Sequence, residues 1–193
     1  MVDVRVSLVA LAFSTGLGLA ASPAQAQAPA MPAEHGTPVA RARADIKGQG
    51  ITGTVELVEL KMGTSRWVQV TLEAGGLTPG LHGVHLHAVG KCEPDFAAAG
   101  GHFDPGPASN TDPDANHPFH MGDLPNLSVG QDGKGRFVAA TTRVTLSDGP
   151  LTVFDADGTA IILHANPDKE ITGEPKSGVS GGPRIACGVL QRQ

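Results

Sequence analysis

Six of the eight histidines of this chain lie between residues 82 and 123, and their spacing restricts the backbone around them. His85 and His87 are separated by one residue, and Val84 and Leu86 alternate with them. On a β-strand such a pair points from one face while its apolar neighbours point from the other. The pattern therefore predicts a strand that presents two imidazoles to one site and two apolar side chains to a core.

His82 belongs to the other face of this predicted strand. It shares the parity of Val84 and Leu86, so we expect it on the core side. A histidine in that position is expected to hydrogen-bond backbone atoms rather than a metal ion.

The segment after this strand supplies further side chains that can bind a metal ion. His102 follows in a glycine-rich turn, and His117, His120 and Asp123 come at intervals of three residues, so a compact loop can aim all three at one ion. Imidazole nitrogens with one carboxylate and no thiolate favour zinc or copper over calcium, magnesium or an iron–sulfur cluster. A single histidine is more often a surface or hydrogen-bonded residue, but that explanation does not account for six in one short stretch.

The first 26 residues have the pattern of a secretory signal peptide. Arg5 precedes an apolar run over residues 6–21, and residues 24–26, Ala-Gln-Ala, form a small-x-small cleavage site. The alternative is an uncleaved membrane anchor, but the run is short and rich in Ala, Gly and Ser. We therefore expect a periplasmic or secreted protein with no stable membrane association after cleavage.

The rest of the chain divides into a linker and one domain. Residues 27–45 are rich in Pro and Ala with few large apolar side chains, which predicts a disordered linker. Residues 46–193 are long enough for a single domain with its own core. The formal net charge of −5 argues against a nucleic-acid partner.

The chain has two cysteines, Cys92 and Cys187. Because exported proteins with an even number of cysteines usually pair them, we expect one disulfide; the alternative is two buried free thiols. A bridge between them would close a loop of nearly a hundred residues, for which chain entropy gives a stabilisation of about 4.7 kcal/mol at most.

Alternating segments predict an all-β domain. Residues 51–60 and 67–73 alternate apolar and polar side chains around a turn at 62–65, which indicates a hairpin. The histidine strand is predicted at 81–87, and further strands at 136–146, 160–164 and 185–190.

Glycine, proline and the long intervals between strands refine this prediction. No helical periodicity follows the signal peptide, and 26 Gly and 15 Pro mark frequent turns. We expect an all-β Greek-key barrel or sandwich of about eight antiparallel strands. Residues 88–127 and 165–184 are expected to be two long, irregular, functional loops.

Five short motifs follow one another along the chain. They are Gly80-Leu-His-Gly-Val-His-Leu-His87, Gly100-Gly-His-Phe-Asp-Pro105, His120-Met-Gly-Asp-Leu-Pro125, Ile162-Leu-His164 and Gly182-Pro-Arg-Ile-Ala-Cys-Gly-Val-Leu190. Together they resemble the copper/zinc superoxide dismutase family, in particular its exported bacterial branch. The resemblance covers about residues 46–190, and five motifs in register are far more specific than His-x-His alone.

The resemblance implies two neighbouring metal sites. The implied copper ligands are His85, His87, His102 and His164. The implied zinc ligands include His102, which would bridge both metals, together with His120 and Asp123. Asp168 matches a carboxylate that links ligands of the two metals. Arg184 matches an arginine that holds the substrate anion beside copper, and Cys92 and Cys187 match the family disulfide.

One zinc ligand departs from the family pattern. The family usually places it eight or nine residues after the bridging histidine, where this chain has Asn110 and Thr111. We therefore expect His117 to be the remaining zinc ligand, in competition with the carboxylates of Asp104, Asp112 and Asp114 or with water. The alternative is a copper-only site.

The activity implied by the resemblance is the conversion of superoxide to dioxygen and hydrogen peroxide. Copper would cycle between two oxidation states, zinc would be structural, and His102 and Arg184 would act directly in the reaction. Lys169 and Lys176 are candidates for steering superoxide, although a solvated charge run explains them equally well. Family members occur as monomers and as homodimers, so a homodimer is compatible with the resemblance.

Two functions of other classes compete with this one. A copper or zinc carrier would need exchangeable ligands, often Met and Cys, and none of the four methionines is part of the histidine pattern. A zinc hydrolase would need a general base, whereas Asp123 fits better as a metal ligand and Asp168 as a carboxylate that orients the imidazole ligands.

Overall fold

The computed structural model of the protein describes residues 36–106 and 110–193. The predicted signal peptide and residues 27–35 of the predicted linker lie outside the described residues. Within the described part, no helix has the length and apolar character that a membrane crossing requires. The strands are β1 (Thr37–Gly48), β2 (Ile51–Met62), β3 (Ser65–Gly75), β4 (Gly80–His87), β5 (Asp123–Val129), β6 (Lys134–Thr141), β7 (Ala160–His164), β8 (Arg184–Val189) and β9 (Gln191–Arg192).

Eight of these strands close into an antiparallel barrel. Around the barrel the order is β1, β2, β3, β6, β5, β4, β7 and β8, after which β8 pairs with β1; β9 pairs with β1 at its edge. β4, β5 and β6 are successive neighbours and β7 returns to lie beside β4, which is the Greek-key order. The predicted all-β Greek-key architecture is therefore confirmed.

The core lies inside the barrel and comes from the alternating positions of the strands. Val55 and Leu57 of β2, Leu72 of β3, and Val84 and Leu86 of β4 are completely buried. Each such side chain contributes about 1.5–3 kcal/mol when it leaves water. The predicted hairpin of β2 and β3 is present, with Met62 paired to Ser65 at its turn.

The predicted linker is wrong for residues 37–45, which belong to β1. Ala42, Ala44 and Ile46 are buried, and β1 pairs with β2 along its whole length. The inward positions of β1 are largely alanines, so the strand carries little of the β-branched and aromatic signal that marks strands in a sequence. Its stability comes from the ladder with β2 rather than from local preference.

The segment predicted to be irregular at 88–127 contains β5 and a short 3₁₀ helix, Phe96–Ala99. In the ladder with β4, His82 pairs with Leu127 and Val84 with Leu124, so β5 has one residue more than β4 between these pairs. Because of this bulge, the buried residues Leu124 and Leu127 are three positions apart, and the alternation of apolar and polar residues that indicates a strand is lost.

The strand predicted at 136–146 ends at Thr141. The chain then leaves the sheet, and the buried carboxylate of Glu59 accepts the backbone N–H groups of Leu146 and Ser147 at 2.9 and 2.7 Å. Arg66 donates to the same carboxylate at 2.9 Å. Leu146 is buried, and the Glu59 carboxylate accepts its backbone N–H in place of a neighbouring strand.

Two long loops connect strands of the barrel. The first loop, residues 88–122, joins β4 to β5, and the second loop, residues 165–183, joins β7 to β8. The disulfide between Cys92 and Cys187 ties the first loop to β8, with its Cα atoms 5.8 Å apart, and confirms the predicted pairing.

Candidate metal centre

Strand β4 presents His85 and His87 to one site, as the sequence spacing predicts. Both side chains are completely buried. His102 comes from the first loop and His164 from the end of β7, and one ring nitrogen from each of the four histidines lies within 4.8 Å of the others. This set corresponds to the predicted copper ligands.

Each of these four imidazoles uses one nitrogen to fix its ring. His85 Nε2 donates to Asp168 at 2.9 Å and His102 Nδ1 to Asp123 at 2.8 Å. His87 Nδ1 donates to the Gly100 carbonyl at 3.1 Å and His164 Nδ1 to the Gly182 carbonyl at 2.9 Å. The nitrogens left over, His85 Nδ1 and Nε2 of His87, His102 and His164, are buried without a hydrogen-bond partner among the described residues. Four converging buried lone pairs with oriented rings fit a metal ion better than any other ligand.

A second group of side chains surrounds Asp123. Its carboxylate oxygens lie 2.8 Å from His102 Nδ1, 3.2 Å from His117 Nδ1 and 3.1 Å from His120 Nδ1. His102, His117 and Asp123, together with His85, also offer ligand atoms within 4.8 Å of one another. His120 is outside that tightest set, but its Nδ1 faces the same carboxylate. Three imidazoles and one carboxylate are a donor set that suits zinc.

His102 takes part in both groups through its two nitrogens. Nδ1 donates to Asp123 at 2.8 Å, while Nε2 is the buried unpaired atom on the side of His85 and His87. The ring centroids of His85 and His102 are 4.2 Å apart. This arrangement is compatible with the predicted bridging role.

Asp168 links the two groups from the second loop. Its carboxylate accepts from His85 Nε2 at 2.9 Å and from His117 Nε2 at 2.7 Å. The sequence predicted this link from the family resemblance. Asn126, which sequence reasoning missed, holds the backbone of Asp168: its amide donates to the Asp168 carbonyl at 2.9 Å and accepts the Asp168 N–H at 2.8 Å. No local pattern marks Asn126, because its partner is distant in the sequence.

The competing carboxylates have other partners. Asp104 accepts the N–H of Asn110 at 3.2 Å, and Asp112 accepts the N–H groups of Asp114 and Ala115, both at 3.0 Å. His117 instead is completely buried among the metal-centre side chains. The geometry therefore favours His117 over these carboxylates as the remaining ligand.

Burial keeps the first group of imidazoles neutral. Burial is the main cause that lowers the pKa of His85 to about 4 and that of His164 to about 3, and neighbouring imidazoles lower both values further. Burial likewise lowers the pKa of His102 to about 4, although Asp123 opposes it, and it lowers the pKa of His87 well below its ordinary value. Neutral imidazoles offer the lone pairs that a metal ion requires.

The second group has the opposite electrostatics. Burial opposes the charge of His117, but its interactions with Asp123 and Asp168 prevail and raise its pKa to about 9. Burial also opposes the ionisation of Asp123 and Asp168, yet the hydrogen bonds from the imidazoles hold both pKa values far below the ordinary range. Two carboxylates that remain ionised inside the protein create a site for a cation.

Arg184 lies beside the first group, as predicted. Its Nη1 donates to the Phe96 carbonyl at 2.7 Å and its Nη2 to the Gly100 carbonyl at 2.6 Å, so the first loop fixes the guanidinium. Burial lowers the pKa of Arg184, partly offset by Asp95, and the group stays cationic at neutral pH.

A cavity of about 390 Å³ leads to this arginine. It is lined by His164 and Arg184 from the site and by Lys176, Asp112, Asp114 and Ser180 from the two loops. Of the two lysines considered for steering, the structure places Lys176 on this cavity and Lys169 elsewhere on the second loop.

His82 occupies the position predicted for it. It is buried, its Nδ1 donates to the carbonyl of His164 at 2.7 Å, and its Nε2 lies 2.9 Å from the Thr78 carbonyl. It thus supports the backbone of a candidate ligand without reaching the metal centre itself.

Comparison with known proteins gives the family. The profile of the family Copper/zinc superoxide dismutase (SODC) matches residues 51–190. Superoxide dismutase [Cu-Zn] of Deinococcus radiodurans is 40% identical over 170 residues, which cover 82% of this chain and 87% of that protein. Superoxide dismutase [Cu-Zn] of Caulobacter vibrioides is 40% identical over 147 residues, covering 72% and 78%.

A solved structure agrees with the sequence relatives. A double mutant of a SOD-like protein from Bacillus subtilis superposes with a TM-score of 0.62 at 35% identity, covering 76% of this chain and 95% of that one. The extent of the family match and the identity to full-length relatives lead to one conclusion: the chain belongs to the copper/zinc superoxide dismutase family.

Proposed function

We propose that the protein disproportionates superoxide to dioxygen and hydrogen peroxide at a copper ion held by His85, His87, His102 and His164. A zinc ion would be held beside it by His102, His117, His120 and Asp123. The observation that carries the proposal is the convergence of buried imidazole nitrogens that have no other partner among the described residues. Copper, when bound, supplies the one-electron chemistry that both halves of the reaction need.

The protein side chains supply orientation, charge and protons. Asp168 orients His85 and His117 together, so each ring presents Nδ1 to its site. Nδ1 of His102 faces Asp123, so Nε2 is the ring atom at which this imidazole would exchange a proton with the reacting anion when it is not a ligand of copper.

Arg184 gives the anion a fixed cationic partner. Its guanidinium is held by two carbonyl oxygens and lines the cavity next to His164. Because the chain carries a net charge of −5, superoxide needs a local cation to approach this face. Arg184 and Lys176 supply it.

Export completes the proposal. The leader pattern of residues 1–26 and the disulfide between Cys92 and Cys187 both fit a periplasmic or secreted protein. The mass of the mature protein recovered from cells tests this: we expect an N-terminus near residue 27. A retained leader would refute export with cleavage.

The function is tested on the protein as purified. We expect copper and zinc in equal amounts, a visible and electron-spin spectrum of Cu(II) with nitrogen ligands, and rapid loss of superoxide in a direct assay. Removal of copper should abolish the rate, and copper but not zinc should restore it. A protein that binds zinc alone, or binds copper reversibly without consuming superoxide, would instead be a hydrolase or a carrier.

A further inference from the structure

Asp114 joins the two long loops through its side chain and its backbone. It lies in the first loop with 4% of its surface exposed. Its Oδ1 accepts from the N–H and the hydroxyl of Ser180 at 3.1 and 2.9 Å, and its Oδ2 accepts from the N–H of Gly178 at 2.9 Å. Its carbonyl oxygen accepts from the N–H of Gly173 at 2.9 Å. All of these donors belong to the second loop.

These bonds lie on both sides of Lys176. Gly173 and Gly178 are the two ends of a turn, and the N–H of Ser177 closes it on the carbonyl of Glu174 at 3.0 Å. Lys176 is exposed within this turn, with a φ of 66°, and lines the cavity that contains Arg184. Asp114 therefore fixes both ends of the turn that contains Lys176.

We propose that Asp114 is a positioning residue that holds Lys176 over the cavity through which superoxide reaches Arg184. The inference rests on the proposed superoxide dismutase function and adds a residue that the function does not otherwise explain. By charge alone, a carboxylate lining this cavity repels an anion. Asp114 favours the reaction only because its hydrogen bonds to the second loop keep Lys176 in place.

The proposal is tested by the direction in which the second-order rate changes when one carboxylate charge is removed. Asp114→Asn keeps the size of the side chain, but its Nδ2 cannot accept the N–H of Gly178, so the turn should loosen. Loss of the lysine from its position should cost about twofold in the second-order rate at low salt, the Coulomb effect of one unit charge about 10 Å away in water, and should offset a similar gain from removal of the carboxylate charge, so the rate of Asp114→Asn should stay near the native rate. Lys176→Gln should lower the rate about twofold, and the double variant should match Asp114→Asn because its lysine is already out of place.

Asp112→Asn is the matched control. Asp112 lines the same cavity, yet its Oδ1 binds only N–H groups of its own loop, and an amide oxygen can accept them equally. This variant removes the same charge without releasing the second loop, so its rate should rise. A rate for Asp114→Asn that equals or exceeds that of Asp112→Asn, or a double variant slower than Asp114→Asn, would overturn the proposal.

Two further measurements distinguish a positioning role of Asp114 from general damage to the protein and from failure of the proposed function. Copper and zinc contents of Asp114→Asn should match the native protein, and amide hydrogen exchange should accelerate over residues 173–180 alone. If Asp114→Asn does not fold, Ser180→Ala removes one donor while keeping the charge and should lower the rate by less than the roughly twofold expected for Lys176→Gln, with the same exchange pattern. An inactive native protein would refute the proposed function, and the exchange data would still decide whether Asp114 holds the turn.

Discussion

Replacing His117 by alanine should remove zinc from the protein while copper stays bound. His117 Nδ1 lies 3.2 Å from Asp123, and its Nε2 donates to Asp168 at 2.7 Å. The variant deletes one of four donors of the proposed zinc site but none of the copper site. Copper binding and part of the activity should therefore remain.

The pH dependence of the zinc affinity shows how much free energy the displacement of the His117 proton costs. In the metal-free protein the pKa of His117 is raised to about 9, so below that pH zinc must displace a proton from the ring. Well below pH 9 each pH unit costs about 1.4 kcal/mol, and because the ring is half deprotonated at pH 9, the zinc affinity of the native protein should rise about 50-fold between pH 7 and pH 9. The same shift makes protonated His117 stabilise the metal-free fold fully below its ordinary value of 6.5, and this stabilisation is lost as pH rises through about 9.

The assay is a zinc titration against a competing chelator at pH 7, 8 and 9, with copper counted separately. The His117→Ala protein should bind zinc far more weakly than the native protein and should lose the steep rise with pH. Asp112→Ala serves as the control and should keep both metals and the native pH slope. Unchanged zinc affinity without His117 would assign the ligand to a carboxylate or to water, and a native protein without zinc would establish the copper-only alternative.

Three other perturbations probe the charges and anchors around the centre. The second-order rate of the native enzyme should fall as salt rises from 0.1 to 1 M, because the Debye length shortens from about 10 to about 3 Å; a flat or rising profile would remove the steering argument. Cys187→Ser should lower the free energy of unfolding by about 2–5 kcal/mol and reduce the rate, as followed by thermal melting and the superoxide assay, and a variant with native rate would make the bridge incidental to the site. Glu59→Gln should cost about 1–3 kcal/mol, because the amide cannot satisfy Leu146, Ser147 and the neighbouring arginine as the carboxylate does. Since the hydrogen bonds to Glu59 outweigh burial and lower its pKa, its contribution is present above the ordinary value of 4.5 and lost as pH falls below it, so chemical denaturation of the native protein but not of the variant should show that loss.

The sequence predicted those parts of the site that depend on short spacings. Strand parity placed His85 and His87 toward the metal centre and His82 on the core side with backbone partners, and the structure agrees with both. The spacing of His117 and His120 from Asp123 brought three side chains of one loop together. In each case the geometry follows from a few residues of local backbone.

The parts that were missed depend on contacts between distant segments. β1 has small alanines at its inward positions, and the bulge of β5 disrupts its period, so neither strand has a clear local signal. Asn126 reaches Asp168 across the fold, and Asp114 reaches the second loop in the same way. Polar side chains of this kind look like ordinary loop residues until the topology brings their partners close.

The carbonyl oxygen of Gly100 accepts hydrogen bonds from both His87 and Arg184. One peptide group thus holds both a proposed copper ligand and the arginine proposed to bind the substrate anion. Gly100 has a φ of 72°, and an added Cβ would lie 3.2 Å from Val89, so a residue with a side chain would be strained here. If the two proposed roles hold, the spacing between copper ligand and substrate cation depends on this main-chain carbonyl, and an engineered shift in substrate placement would have to begin there rather than at the arginine.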